Sequence, residues 1–104
     1  VSDGPILLIF DFPARPPGGP EQAAALRALA EDIAQEPGLL WKIWTGSAAE
    51  RRAGGVYLFR SRAEAEAYHR KHAARLGAMG ITGIEAAYRE IMGPLTEITR
   101  GPVR

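Results

Sequence analysis

Residues 39–45, LLWKIWT, are fenced by Pro37–Gly38 on one side and Gly46 on the other. That punctuation predicts a strand, not a helix. Side chains alternate along a strand, so Trp41, Ile43 and Thr45 take one face and Leu40, Lys42 and Trp44 the other. Each face then carries a large ring. Fully burying one such side chain contributes roughly 1.5–3 kcal/mol. A chain that sets rings on both sides of a strand gains from covering both sides of its sheet.

The same punctuation divides the rest of the chain. Residues 5–12, PILLIFDF, lie between Gly4–Pro5 and Pro13 and read as the first strand. Ile6, Leu8, Phe10 and Phe12 share one of its faces; Leu7, Ile9 and Asp11 share the other. Residues 13–19, PARPPGG, form a loop. Pro20 opens a helix, since its missing N–H has no helical partner there anyway. Leu26, Leu29, Ala30 and Ile33 make its apolar stripe, and Pro37–Gly38 stops it. Residues 46–54 are a polar connection, and residues 56–60, VYLFR, are the third strand. Ser61 with Glu64 three residues later predicts a capped helix start. That helix runs to about Leu76, with Ala65, Tyr68, His72 and Leu76 facing inward. Residues 84–92, IEAAYREIM, suit a helix as well as a strand by composition. The order of elements favours the strand. The tail, residues 93–104, is expected to pack on a partner subunit, with its last residues loose.

The order β-α-β-β-α-β predicts an α+β, ferredoxin-like fold: a four-stranded antiparallel sheet with two helices on one face. Residues 1–104 make one domain at this length. Two helices cover only one side of the sheet, and no internal repeat supplies a second cover. A homodimer follows as the expectation.

Composition narrows the partners. The net charge is +1, from 13 basic and 12 acidic residues, without the basic excess of a nucleic-acid binder. The absence of cysteine removes disulfides and thiolate chemistry and fits a cytoplasmic location. The longest apolar run, residues 6–10, falls far short of the ~20 residues that span a bilayer, and no charged-then-apolar leader opens the chain. Neither a membrane nor a signal peptide is therefore expected. Gly77, Gly80 and Gly83 lack the spacing of a dinucleotide fingerprint and end a helix. No phosphate loop, serine–histidine motif or carboxylate pair is present.

Four stretches carry a closer likeness: EPGLLWKIWT (residues 36–45), AGGVYLF (53–59), HAARLGAMGI (72–81) and GPLTEIT (93–99). Over residues 6–99 the chain resembles the YdhR-type monooxygenases of the dimeric α+β barrel superfamily. The likeness is strong in the middle third and weaker across residues 13–19 and 84–92. It implies two ferredoxin-like units pairing their sheets face to face, with a pocket in each protomer. By analogy with related oxygenases it implies oxidation of a small aromatic, phenol- or quinol-like substrate by O₂, with no metal or flavin cofactor. Such a site needs an apolar slot, a donor or cation at the developing oxyanion, and exclusion of water.

Several residues suit those roles. Lys42 is a candidate oxyanion partner, on the ground that an unpaired ammonium is costly beneath helices. That places Lys42 and Trp44 on the barrel side and Trp41 on the helix side, unless a bulge swaps the two tryptophans. The plainer account has Lys42 reaching water at the barrel rim beside a glutamate. His72 is a candidate acid or base, or a packed ring bonded to a carbonyl or to Tyr68. Arg89 is a candidate clamp for an anion, or a partner of Glu85. Trp44, Tyr57 and Tyr88 are candidate substrate contacts, although strand aromatics commonly just fill a core. Asp11 is expected to pair with Lys42 or Arg89. His69 reads as solvated, and its spacing from His72 is a weak metal signal with no carboxylates to support it. Two other functions fit the same fold: a non-catalytic small-ligand binder of a stress response, and a haem-binding relative using His72.

Overall fold

A computed structural model describes residues 4–15 and 18–103. Pro16 and Pro17 of the expected loop, Val1 to Asp3 and Arg104 lie outside the described residues. The order of elements is β1 (Ile6–Pro13), α1 (Gly19–Ile33), β2 (Leu39–Ser47), β3 (Arg52–Phe59), α2 (Arg62–Ala78), β4 (Glu85–Glu90) and α3 (Gly93–Ile98). The strands form one antiparallel sheet in the order β2-β3-β1-β4. This is the ferredoxin-like α+β fold.

The core follows from the alternation along β1. Ile6, Leu8, Phe10 and Phe12 are all buried on one side of the sheet, while Leu7, Ile9 and Asp11 are only half covered on the other. Opposite them on β3, Phe59 pairs with Ile6 and Tyr57 with Leu8, which puts both aromatics on the buried side. Helix α2 closes that side with Ala65, Tyr68, His72 and Leu76, the expected stripe, each at most 3% exposed. Spacings of three and four residues keep these side chains on one helical face.

Local signals explain the ends of the elements. Ser61 Oγ accepts from the Glu64 N–H at 3.3 Å and caps α2. The reciprocal half of the expected capping box differs: the Glu64 carboxylate is forked by Arg60 at 2.9 and 2.8 Å and accepts from Ser61 Oγ. Gly38, with φ of 81°, turns the chain from α1 into β2, a conformation a β-carbon resists. Helix α1 starts at Gly19, one residue before Pro20. Strand β3 begins four residues earlier than its apolar run, taking in Gly54 and Gly55. Helix α3, around Pro94, was not foreseen.

Strand β2 holds the main departure from expectation. Its register against β3 shifts between Leu39 and Trp41, a bulge at Leu40. One extra residue flips everything beyond it to the opposite face. Lys42 therefore pairs with Tyr57 and Trp44 with Gly55, on the helix side. Trp41 and Ile43 pair with Leu58 and Val56, on the open side. The expectation that Lys42 and Trp44 face away from the helices is corrected. The cost of an unpaired ammonium beneath helices, on which that expectation rested, is reduced because α1 stands off the sheet: it buries only Ile33.

The open side carries Leu7, Ile9, Val56 and Ile43, with Ile43 57% exposed. One end of it is covered by the chain itself: Trp41 Nε1 donates to the Pro102 carbonyl at 2.6 Å, beside the fully buried Leu58. The tail thus engages its own sheet. Among the described residues, no helix is long and apolar enough to cross a membrane.

Candidate functional site

The space that α1 leaves above the sheet is a cavity of about 380 Å³. Leu26 and Leu29 of α1, His72 and Leu76 of α2, and Phe12, Lys42, Trp44 and Tyr57 of the sheet line it, toward the β2–β3 hairpin. Its walls are mainly apolar. Among the described residues, its charged lining residues, Arg15, Lys42 and Arg52, are all basic, and no carboxylate lines it.

Lys42 reaches the cavity because of two features of its surroundings. The bulge at Leu40 turns it inward, and Gly55 makes way for its stem. A β-carbon at Gly55 would stand 2.5 Å from Lys42 Cε and 3.3 Å from a Tyr57 ring carbon, closer than van der Waals contact allows. The amine comes to rest 3.3 Å from the Trp44 ring centroid and 4.6 Å from that of Tyr57. Burial, reinforced by the Arg75 guanidinium, brings the Lys42 pKa down from 10.5 to about 7. The two ring faces attract the ammonium and oppose that shift, so both protonation forms exist near neutral pH.

His72 is fixed by Arg75, one turn along the same helix. Arg75 donates to His72 Nδ1 from Nε at 3.3 Å and from a terminal nitrogen at 3.0 Å, while Asp32 of α1 anchors the guanidinium at 2.8 Å. A guanidinium can only donate. Nδ1 therefore carries the lone pair, and the ring proton sits on Nε2. Burial first, then Arg75 and Lys42, lowers the His72 pKa to about 3. The imidazole stays neutral and offers one N–H donor, so it is not a general base at neutral pH.

Behind this pair lies an aromatic cluster. The Tyr68 hydroxyl donates to Tyr57 at 3.1 Å, and His72 stacks on Tyr68 at 5.0 Å. Burial pushes the Tyr57 hydroxyl up to about 12 and Tyr68 higher still. Both remain protonated across the physiological range.

The sequence-derived candidates thus divide. Lys42, His72, Trp44 and Tyr57 meet in one cavity. Arg89 and Tyr88 do not join them. Arg89 is exposed on the open face and donates to the Tyr88 carbonyl. Tyr88 is on the helix side but belongs to a separate contact, its hydroxyl 2.7 Å from His69 Nδ1, beneath Arg62 at 4.9 Å. His69 is accordingly half buried and bonded, not solvated. Asp11 and Glu85 both engage Arg52, in place of the expected Lys42 or Arg89. Among the described residues, no group of three or more histidines and carboxylates is placed to hold a metal ion. Arg75 and Gly55 were not singled out from the sequence. Arg75 was within reach, since residues three apart on a helix touch; nothing local marks Gly55.

A comparison with curated proteins finds no match. The family described as "Putative mono-oxygenase ydhR" matches residues 7–102, a span that takes in all of β1 but Ile6, the cavity lining and α3. By that match over nearly its whole length, the chain belongs to the ydhR mono-oxygenase family.

Proposed function

We propose that this chain is an oxygenase for a small aromatic acid of the phenol or quinol type, with the cavity as its active site. The observation that carries the reading is a lysine near its titration point in an apolar cavity whose described lining residues include no carboxylate. As the free amine, Lys42 takes the phenolic proton. As the ammonium so formed, it pairs with the substrate oxyanion. The Nε2–H of His72 is a second donor for that oxygen, held neutral so that it cannot draw the proton away. Tyr57 and Trp44 supply ring faces for stacking. The electron-rich anion then reacts with O₂. One oxygen atom enters the substrate and the other leaves as water, with the substrate supplying the electrons. Enclosure by Leu26 and Leu29 limits water at the anion.

The test is O₂ uptake over a panel of phenols and quinols. Uptake should saturate with substrate and fall about 10²-fold or more in Lys42→Gln, the usual scale for loss of an acid–base group. No uptake above the uncatalysed rate across the panel would overturn the reading. The apolar lining also favours a binding-only function. Tight binding with unchanged ligand and no O₂ uptake would establish that alternative.

The working unit in this reading is a homodimer with the two open faces apposed. Half-covered Leu7, Ile9 and Val56 and exposed Ile43 support it, because sheet faces of this kind gain from a cover. Met92, Leu95 and Ile98 on the chain end, 59–77% exposed, are further surface for a second copy.

A further inference from the structure

We propose that Lys42 captures small apolar aldehydes and ketones covalently, as an imine formed inside the cavity. This rests on the same cavity as the oxygenase reading but not on any reaction with O₂.

Three placements support it. The amine lies on the wall of an apolar cavity large enough for a small aromatic carbonyl compound. Its nearest partners are two ring faces instead of a carboxylate, so no ion pair holds it in the charged form. His72 and Tyr57, both lining the same cavity, are neutral hydrogen-bond donors. The ordinary role of a surface lysine is an ion pair with a carboxylate, as in Lys71 with Glu36 at 2.6 Å. Lys42 is arranged differently, with its stem laid across a glycine and its amine held away from acids. A lysine desolvated in this way is a nucleophile at neutral pH.

The chemistry balances without an oxidant. The Lys42 nitrogen lone pair attacks the carbonyl carbon and a C–N bond forms. The C=O π pair moves to oxygen, which is hydrogen-bonded by His72 Nε2–H and takes a proton from water, while nitrogen loses one. The resulting carbinolamine then expels its hydroxyl with a second proton as water, leaving the C=N bond.

The chain contains two lysines, Lys42 and Lys71, which makes the test direct. The native protein is incubated without oxygen with benzaldehyde or 2-naphthaldehyde and cyanoborohydride, and the reduced adducts are mapped by peptide mass spectrometry. At pH 7, Lys42 should be labelled about 10-fold or more faster than Lys71. The Lys42 rate should reach half its maximum near pH 7, not near the ~10.4 of a free lysine. Lys71→Arg should leave the Lys42 rate unchanged. Labelling of Lys42 no faster than of Lys71, or a Lys42 rate that rises only near pH 10, would overturn the proposal. Since oxygen is absent throughout, failure of O₂ uptake and failure of trapping are read separately.

Discussion

Lys42 crosses Gly55 so closely that a single methyl group on that glycine would occupy the path of the lysine stem, 2.5 Å from Cε. The glycine is as much a part of the site as the amine. Gly55→Ala is expected to push the amine off the Trp44 and Tyr57 rings, reducing O₂ uptake and imine trapping together by about 10-fold or more, as small misplacements of a reacting group do. The cost in stability should be small, because the atom the new methyl meets lies near the end of a flexible side chain that can swing aside. Urea unfolding beside both assays checks this; an alanine variant with full rates would show that Lys42 does not need this path.

Stability should depend on pH through groups the cavity buries. His72 titrates near 3 when folded and 6.5 when free. Below pH 6.5 the unfolded chain therefore binds the extra proton first, and stability falls as pH drops toward 3. The scale is on the order of 4 kcal/mol over that window. Lys42 acts in the same direction between 10.5 and about 7. Tyr57 acts oppositely, because the unfolded chain loses its proton from pH 10 while the folded one holds it to about 12. Urea midpoints should rise from pH 4 to about pH 10 and then decline. A flat profile between pH 4 and 6.5 would contradict the assigned burial of His72.

The two tryptophans should report different events. Trp44 lines the cavity and Trp41 does not. Titration with 4-nitrophenol should quench fluorescence in Trp41→Phe, which keeps Trp44, and leave that of Trp44→Phe nearly unchanged. Equal quenching in both would place the ligand elsewhere.

Ile43 offers the simplest test of the dimer. A charge on this exposed strand residue has little to disturb within its own protomer. Ile43→Glu should shift sedimentation equilibrium at micromolar concentration from dimer to monomer, with circular dichroism unchanged. A wild-type protein that is already a stable monomer would end the dimer reading.

Tyr68 tests the cluster behind the cavity. Tyr68→Phe removes the hydroxyl donated to Tyr57 and should cost about 1–3 kcal/mol by urea unfolding, as expected when a buried polar partner is lost. O₂ uptake should change less than in Lys42→Gln, because Tyr68 does not line the cavity.

The fold was legible because its signals are local and repeated. Alternation in PILLIFDF separated the buried Ile6, Leu8, Phe10 and Phe12 from Leu7 and Ile9. The spacing of Ala65, Tyr68, His72 and Leu76 gave the inner face of α2, and Ser61 marked its start. Four site residues, Lys42, His72, Trp44 and Tyr57, were legible as chemistry-bearing groups at defined positions. Their meeting was not, because it depends on contacts distant in sequence. Gly54 and Gly55 read as the end of a loop, yet they lie in a strand where neighbouring groups leave little room for a β-carbon. His72 read as an acid or base because a free imidazole titrates near neutrality; only its burial against Arg75 makes it a fixed donor. Arg89 and Tyr88 were drawn to the site by type alone, and the strand's position at the sheet edge keeps them apart from it.

Leu40, 40% exposed, lines no part of the cavity that holds Lys42, but as the extra residue of the bulge it decides which way Lys42 points. If the strand paired straight through, with Leu40 opposite Leu58, it would be turned inside out from that point on: Trp41 and Ile43 would swing under the helices, and the amine and Trp44 would be delivered to the opposite surface. Parity, not residue identity, would have undone the chemistry, with every proposed reacting group still in the chain.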